Sequence, residues 1–147
     1  MVTRASALDT FSVWHVAHEQ RDLDGLRGVL DDDVEVHSLF RPAPVRGRDL
    51  AVDHFSHTMR TFADLAMPVV AGPAAADSGV VFAEVEFAGT FTGMLQWAGT
   101  AHIGQAQAFR VDGAVVLHTD GGRVCSVRTL FDRDAWLRQI GVLPGSA

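Results

Sequence analysis

The sequence predicts an α+β domain in which N-terminal helices pack on a mostly antiparallel sheet; a strongly curved sheet wrapped around those helices would leave a cavity between the two layers. Three observations predict it. Apolar residues recur at helical spacing in the first part of the chain, interrupted by one strand; the second half alternates with period two between turn signals; and 147 residues suffice for one core plus one cavity. We expect a single domain over residues 1–147, because no internal repeat, low-complexity tract or linker interrupts the chain.

The elements follow in order. Leu8, Phe11 and Trp14, with Val13, Val16 and Ala17, give a broad-faced amphipathic helix from Ala7 to Gln20. Arg21-Asp22 breaks it, and Leu23 to Leu30 forms a second short helix. Asp33 to Phe40 alternates as a strand with one buried face. After the loop containing Pro42, Pro44 and Gly47, Asp49 can cap a third helix from about Leu50 to Phe62. Leu65 to Ala71 is extended, Asp77-Ser78-Gly79 turns, and Val80 to Phe91 is a long strand. Thr92 to Gly104 lacks periodicity and holds three glycines, so it reads as a long loop. Gln105 to Thr119 and Arg123 to Phe131 form an antiparallel hairpin through Asp120-Gly121-Gly122, and Asp132 to Ile140 closes the chain as a helix.

Composition narrows the chemistry. The net charge is −6, and all twelve basic residues are arginine without a cluster, so nucleic acid is not an expected partner. No apolar run is long enough to span a bilayer and no secretory leader is evident, so no membrane partner is expected. The lone Cys125 excludes an internal disulfide, which makes the cytoplasm the expected setting. The chain has no lysine for Schiff-base chemistry and no tyrosine for phenolic proton transfer. Dinucleotide fingerprint, P-loop and serine nucleophile elbow are all missing, so no organic cofactor is expected.

Five segments in consistent order resemble the SnoaL-like branch of the NTF2-like superfamily. They are Asp32-Asp33-Val34-Glu35-Val36-His37, Arg46-Gly47-Arg48-Asp49, Phe62-Ala63-Asp64-Leu65, Gly89-Thr90-Phe91-Thr92-Gly93, and Asp120-Gly121-Gly122-Arg123-Val124 through Leu130-Phe131-Asp132. The resemblance covers nearly the whole chain. It implies a cone whose concave sheet face floors a pocket and whose mouth is rimmed by loops. It also implies a homodimer packed sheet to sheet. Because this fold carries cyclases, isomerases, epoxide hydrolases and plain binding modules, it leaves the reaction open.

In polyketide ester cyclases of this type, a pocket aspartate serves as general acid/base for an intramolecular aldol closure, without metal or cofactor. Counting back from the hairpin puts Val115 at that position. Counting forward from Phe109-Arg110 brings Asp112 near it, provided that Gly113 marks a β-bulge that realigns the strand. The final-strand acid of the epoxide-hydrolase pattern is Thr129 here.

The candidate catalytic residues are therefore Asp112 as acid/base, His102 in the glycine-rich stretch, His37 on the first strand, and Glu86 on the long strand. An apolar setting would raise the pKa of Asp112 toward the working pH. Trp14, Phe40, Phe55, Phe91, Met94 and Trp97 are expected around a flat apolar ligand, with Val115, His118 and Thr129 completing the substrate-binding set. His15/His18 and His54/His57 each have metal-compatible spacing, but no third ligand accompanies either pair. No metal is expected, and solvated helix faces explain these histidines. The leading expectation is a cofactor-free cyclase or isomerase acting on a polyketide-like or other apolar oxygenated molecule. Epoxide opening by Glu86 with His102, and ligand binding without catalysis, are the alternatives.

Overall fold

The computed structural model describes residues 3–143; the ends of the expected 1–147 domain, residues 1–2 and 144–147, lie outside the described residues. Helix α1 (Arg4–Glu19) starts earlier than its apolar periodicity suggests, because the Thr3 side chain accepts the Ser6 N–H at 3.0 Å and caps the first turn. Asp22 does the same for α2 (Leu23–Val29). In α3 (Arg48–Thr61) the expected cap, Asp49, instead lies within the first turn and pairs with Arg27. Helix α4 (Arg133–Gln139) is capped by Asp132.

The main sheet runs in the order β2 (Val45–Arg46), β1 (Leu30–His37), β9 (Arg123–Phe131), β8 (Gln107–Asp120), β5 (Val80–Phe91) and β3 (Phe62–Ala66). Strand β4 (Val69–Ala75) also pairs with β5. Every pairing is antiparallel except β1 with β9. The first strand begins and ends three residues before its expected bounds. Its exit, Ser38 to Pro42, is thereby freed to cross the open end of the cone. The expected extended segment after residue 65 is two strands that share β5 as partner.

The stretch expected to be a loop is a second, two-stranded sheet, β6 (Met94–Trp97) and β7 (Thr100–Ile103). Ala98 and Gly99 both adopt positive φ, at 50° and 79°, which is the two-residue turn that matches strand twist. The glycines around it masked a strand pair too short for periodicity to register.

Alternation fixes the faces of the sheet. On β5 and β8, Val81, Ala83, Val85, Phe87 and Phe109, Val111, Val115, Leu117 are buried on the concave side, while their neighbours face out. Helices α1 and α3 fill the concavity with Ala7, Phe11, Trp14 and Ala51, Val52, Phe55. Val13 and Val16, expected on the buried face of α1, are about half exposed. At one end Trp136, fully buried, meets Phe40 at 5.0 Å, Phe62 at 5.7 Å and Phe131 at 5.9 Å between ring centroids, all edge-on.

Gly113 is a packing requirement and not a bulge. The β5–β8 register is unbroken from Val80↔His118 to Phe91↔Gln107, and β8–β9 is regular through Gly113↔Phe131. A Cβ on Gly113 would lie 2.3 Å from the Leu130 carbonyl oxygen and 2.8 Å from the Phe87 ring. Gly113→Ala is therefore expected to destabilise the fold by about 1–3 kcal/mol, lowering the thermal midpoint by several degrees in circular-dichroism melts. An unchanged midpoint would refute the close packing.

Candidate functional site

The gap between α1, α3 and the concave sheet is a narrow apolar cavity that widens at one end. Its inner part, about 20 Å³, is lined by Trp14, His18, Val36, Ser38, Phe40, His54, Phe55, Thr58, Leu65, Met67, Phe87, Val127 and Thr129. The mouth, about 270 Å³, is formed by Phe40, Arg41 and Pro42, by His54, His57, Thr58 and Thr61 of α3 with Phe62, and by Met94, Leu95 and Gln96 of β6. Phe40, His54 and Thr58 belong to both, so they stand at the constriction.

Two histidines expected on solvated helix faces are buried here. His18 is 8% exposed and His54 is 6% exposed. Both repeat the spacing of the core: His18 follows Phe11 and Trp14 on α1, and His54 lies three residues after Ala51 and four before Thr58 on α3. That periodicity is the signal in the sequence that would have placed them. His18 stacks obliquely on Trp14 at 5.5 Å and meets Phe55 edge-on at 5.9 Å; His54 flanks Phe55 at 5.3 Å.

The His18 ring has a defined proton. Its Nδ1 lies 3.2 Å from a carboxylate oxygen of Glu19, whose oxygens also accept the Met67 N–H at 3.0 and 3.2 Å. Burial pushes the Glu19 carboxyl up. The hydrogen bonds from His18 and Met67, with the nearby His18 and His15, outweigh it and hold the group below the usual range. An ionised carboxylate can only accept, so Nδ1 carries a hydrogen and donates it to Glu19, which leaves Nε2 as the ring nitrogen available to a ligand. His15 binds the same loop, with Nε2 donating to the Met67 carbonyl at 2.8 Å.

His54 is the opposite case. Burial first, then the positive Arg41 and the neighbouring His18 and His57, push its pKa down to about 3. Its imidazole is neutral throughout the physiological range and can still donate one N–H. Arg41 crosses the mouth with its Nε buried and unpartnered. The Thr58 and Thr61 hydroxyls donate to carbonyls of their own helix, whereas two others keep a hydrogen free. The Ser38 oxygen accepts the Phe40 N–H at 3.2 Å, and the Thr129 oxygen accepts the Leu39 N–H at 3.1 Å. Each keeps its own hydrogen to donate.

The residues singled out from the sequence divide sharply. Trp14, Phe40, Phe55 and Thr129 line the inner cavity and Met94 lines the mouth. Phe91 and Val115 are buried on the concave face outside the lining, and Trp97 packs edge-on against Trp136 at 6.0 Å. His118 is exposed on the outer face. None of the four proposed catalytic groups enters the cavity. Asp112 is exposed on the outer face opposite Glu86, because the bulge that would turn it inward does not form. Glu86 pairs with Arg110 at 3.5 Å on that same face. His37 faces outward and contacts Glu35 at 3.3 Å. His102 lies half-buried on β7 outside the lining. Cys125 is half-buried, and burial with Asp31 and Asp120 nearby pushes its thiol up, away from nucleophilic reactivity. Among the described residues no group of three His, Cys, Asp or Glu side chains is placed to hold a metal. No described helix is long and apolar enough to cross a membrane.

Comparison with known proteins agrees with this architecture. A candidate polyketide cyclase from Xanthomonas campestris pv. campestris superposes with a TM-score of 0.79 at 19% identity, over 94% of this chain and 98% of that one. A SnoaL-like candidate from Jannaschia sp. CCS1 gives 0.80 at 16% identity, over 98% and 97%. An LEH-like epoxide hydrolase from M. tuberculosis gives 0.71 at 15% identity, over 93% and 90%. Likeness at such identities concerns the fold. Among curated proteins, none matches the sequence. The family model for SnoaL-like polyketide cyclases matches residues 9–140, and the chain accordingly belongs to that family, with its NTF2-like α+β fold.

Proposed function

We propose that the chain is an enzyme that moves protons on a small, apolar, oxygen-bearing molecule held in the cone, closing or isomerising a ring without a cofactor. The observation that carries this reading is a pair of buried imidazoles on the cavity wall, His54 at the constriction and His18 in the inner part, one beside a carboxylate and the other beside a cation. His18, its Nδ1 hydrogen committed to Glu19, offers a lone pair at Nε2 as general base. His54, kept neutral, offers an N–H to an oxygen that becomes negative. The Ser38 and Thr129 hydroxyls can add further donors.

In an aldol closure, His18 removes a proton from the carbon beside a carbonyl, and the enolate oxygen is held by His54. The enolate carbon attacks a second carbonyl of the same molecule, forming the ring bond. The resulting alkoxide takes the proton back from the His18 imidazolium. Nothing is oxidised or reduced, and no carboxylate of the sheet is needed. A mouth of about 270 Å³ lies just below the usual range for ligand pockets, roughly 300–1,000 Å³, which favours compact substrates. The outer sheet face, where Phe82 is 51% exposed opposite Val116, supports the expected homodimer.

The first test is exchange of α-protons for deuterium in a small aryl β-keto ester, followed by NMR. The wild type should catalyse it. His18→Gln and His54→Gln should lower the rate by about 10²–10⁴-fold, while Asp112→Asn leaves it unchanged. Glu19→Gln should lower kcat and shift its pH profile with little change in KM. A tight complex that returns the compound unexchanged would identify a binding module instead.

A second test uses stability. The His54 imidazole takes a proton at about 3 in the folded chain against 6.5 ordinarily, so between these values the unfolded state binds more protons. Its contribution is complete above about pH 6.5 and is lost as the pH falls toward 3, at up to about 1.4 kcal/mol per pH unit. Thermal midpoints of His54→Gln should therefore fall less steeply over that window than those of the wild type. Parallel curves would show that His54 titrates normally.

The dimer is checked by light scattering. The wild type should show twice the chain mass, and Phe82→Glu should be monomeric; a monomeric wild type would remove this part of the proposal.

A further inference from the structure

The segment Ser38 to Pro42 separates the cone from a second hollow on its other side. This outer groove, about 190 Å³, is lined by His37, Ser38, Leu39, Arg41, Pro42, Ala43, Pro44, Arg128, Thr129, Leu130 and Arg133. Three arginines and no aspartate or glutamate are among its lining residues, in a chain whose net charge is −6. Elsewhere Arg4, Arg27, Arg46, Arg48 and Arg110 pair with acids. Among the described residues, Arg41, Arg128 and Arg133 form no such pair. Glu35, which contacts the groove residue His37, also holds Arg46, and Asp132, beside Arg133 in the chain, caps α4.

Arg128 stands beside His37 through the parallel β1–β9 pairing. The Arg133 guanidinium lies over the Trp97 ring, 5.2 Å from its centroid. Arg41 lines both the groove and the cavity mouth, and its Nε is buried without a partner. A buried donor without an acceptor is costly, and three converging like charges repel one another. An anion placed between them would relieve both.

We propose that this groove binds a carboxylate or phosphate on the end of the same molecule whose apolar part occupies the cone, with Arg41 as the hinge between the two. This rests on the reading of the cone as a small-molecule site. It specifies the substrate class as an apolar acid or phosphate ester. Bidentate pairing to guanidinium suits both anions.

The test uses three ligands with one apolar body: phenylpropanol, phenylpropanoate and phenylpropyl phosphate, each titrated calorimetrically into the full chain. The alcohol reports on the cone alone. The two anions should bind at least about tenfold more tightly than the alcohol, and this advantage should shrink as salt is raised. Arg128→Gln with Arg133→Gln, both on the groove rim, should remove most of the advantage and leave alcohol affinity unchanged. Arg41→Gln should remove the remainder. Inorganic phosphate should compete with the anions and not with the alcohol. Equal affinities for alcohol and anions, or an advantage that survives all three substitutions, would overturn the anion groove while leaving the cone intact. Failure of all three ligands to bind would overturn both.

Discussion

The unbroken antiparallel register of β5 against β8 is the constraint on which the rest of this molecule depends. Side chains on paired strands alternate faces with a period of two, so one extra residue in either strand would send every following side chain to the other face. No residue is added. Phe87, Val115 and their in-phase neighbours therefore form the floor of the cone, while Glu86 and Asp112 stand together outside. The contact of Gly113 with Phe87 and the Leu130 carbonyl reinforces this phase, because only a residue without a side chain lets the concave face close there.

With the sheet's carboxylates turned outward, the polar groups of the cavity come from the helices, from the crossing segment after β1 and from Thr129 of β9. This changes the electrostatic character of the site. A pocket built on an aspartate would hold a negative charge; this one holds imidazoles, hydroxyls and a nearby guanidinium. Arg41 and burial act in the same direction on His54, each disfavouring a second positive charge. Glu19 instead fixes the hydrogen on His18 Nδ1. The two rings flank Phe55 in different electrostatic settings, because one faces a carboxylate and the other a cation.

Glu19 and His15 also join the end of α1 to both backbone polar groups of Met67. The link to the segment between β3 and β4 thus sets where His18 sits relative to the sheet. Stability and site geometry are coupled at this point: the same carboxylate that anchors the helix orients the ring.

The sequence by itself determined the α+β class, the order of helices and long strands, the β8–β9 hairpin, and the aromatic lining by Trp14, Phe40 and Phe55. Those features follow from periodicity and turn chemistry, which are local. Periodicity also contained the burial of His18 and His54, since both fall on the apolar stripes of their helices, but a polar residue on such a stripe reads equally well as a solvated edge. The β6–β7 hairpin escaped notice because its strands are too short to alternate measurably. Only the tertiary structure decided the phase of β8 against β5, and with it the outward direction of Asp112 and Glu86. Strand phase depends on hydrogen bonds between residues distant in the chain, and no local pattern around Gly113 distinguishes a bulge from a close packing contact. The convergence of Arg41, Arg128 and Arg133 was likewise invisible, because it joins a loop, a strand and a helix that meet only when the sheet curls.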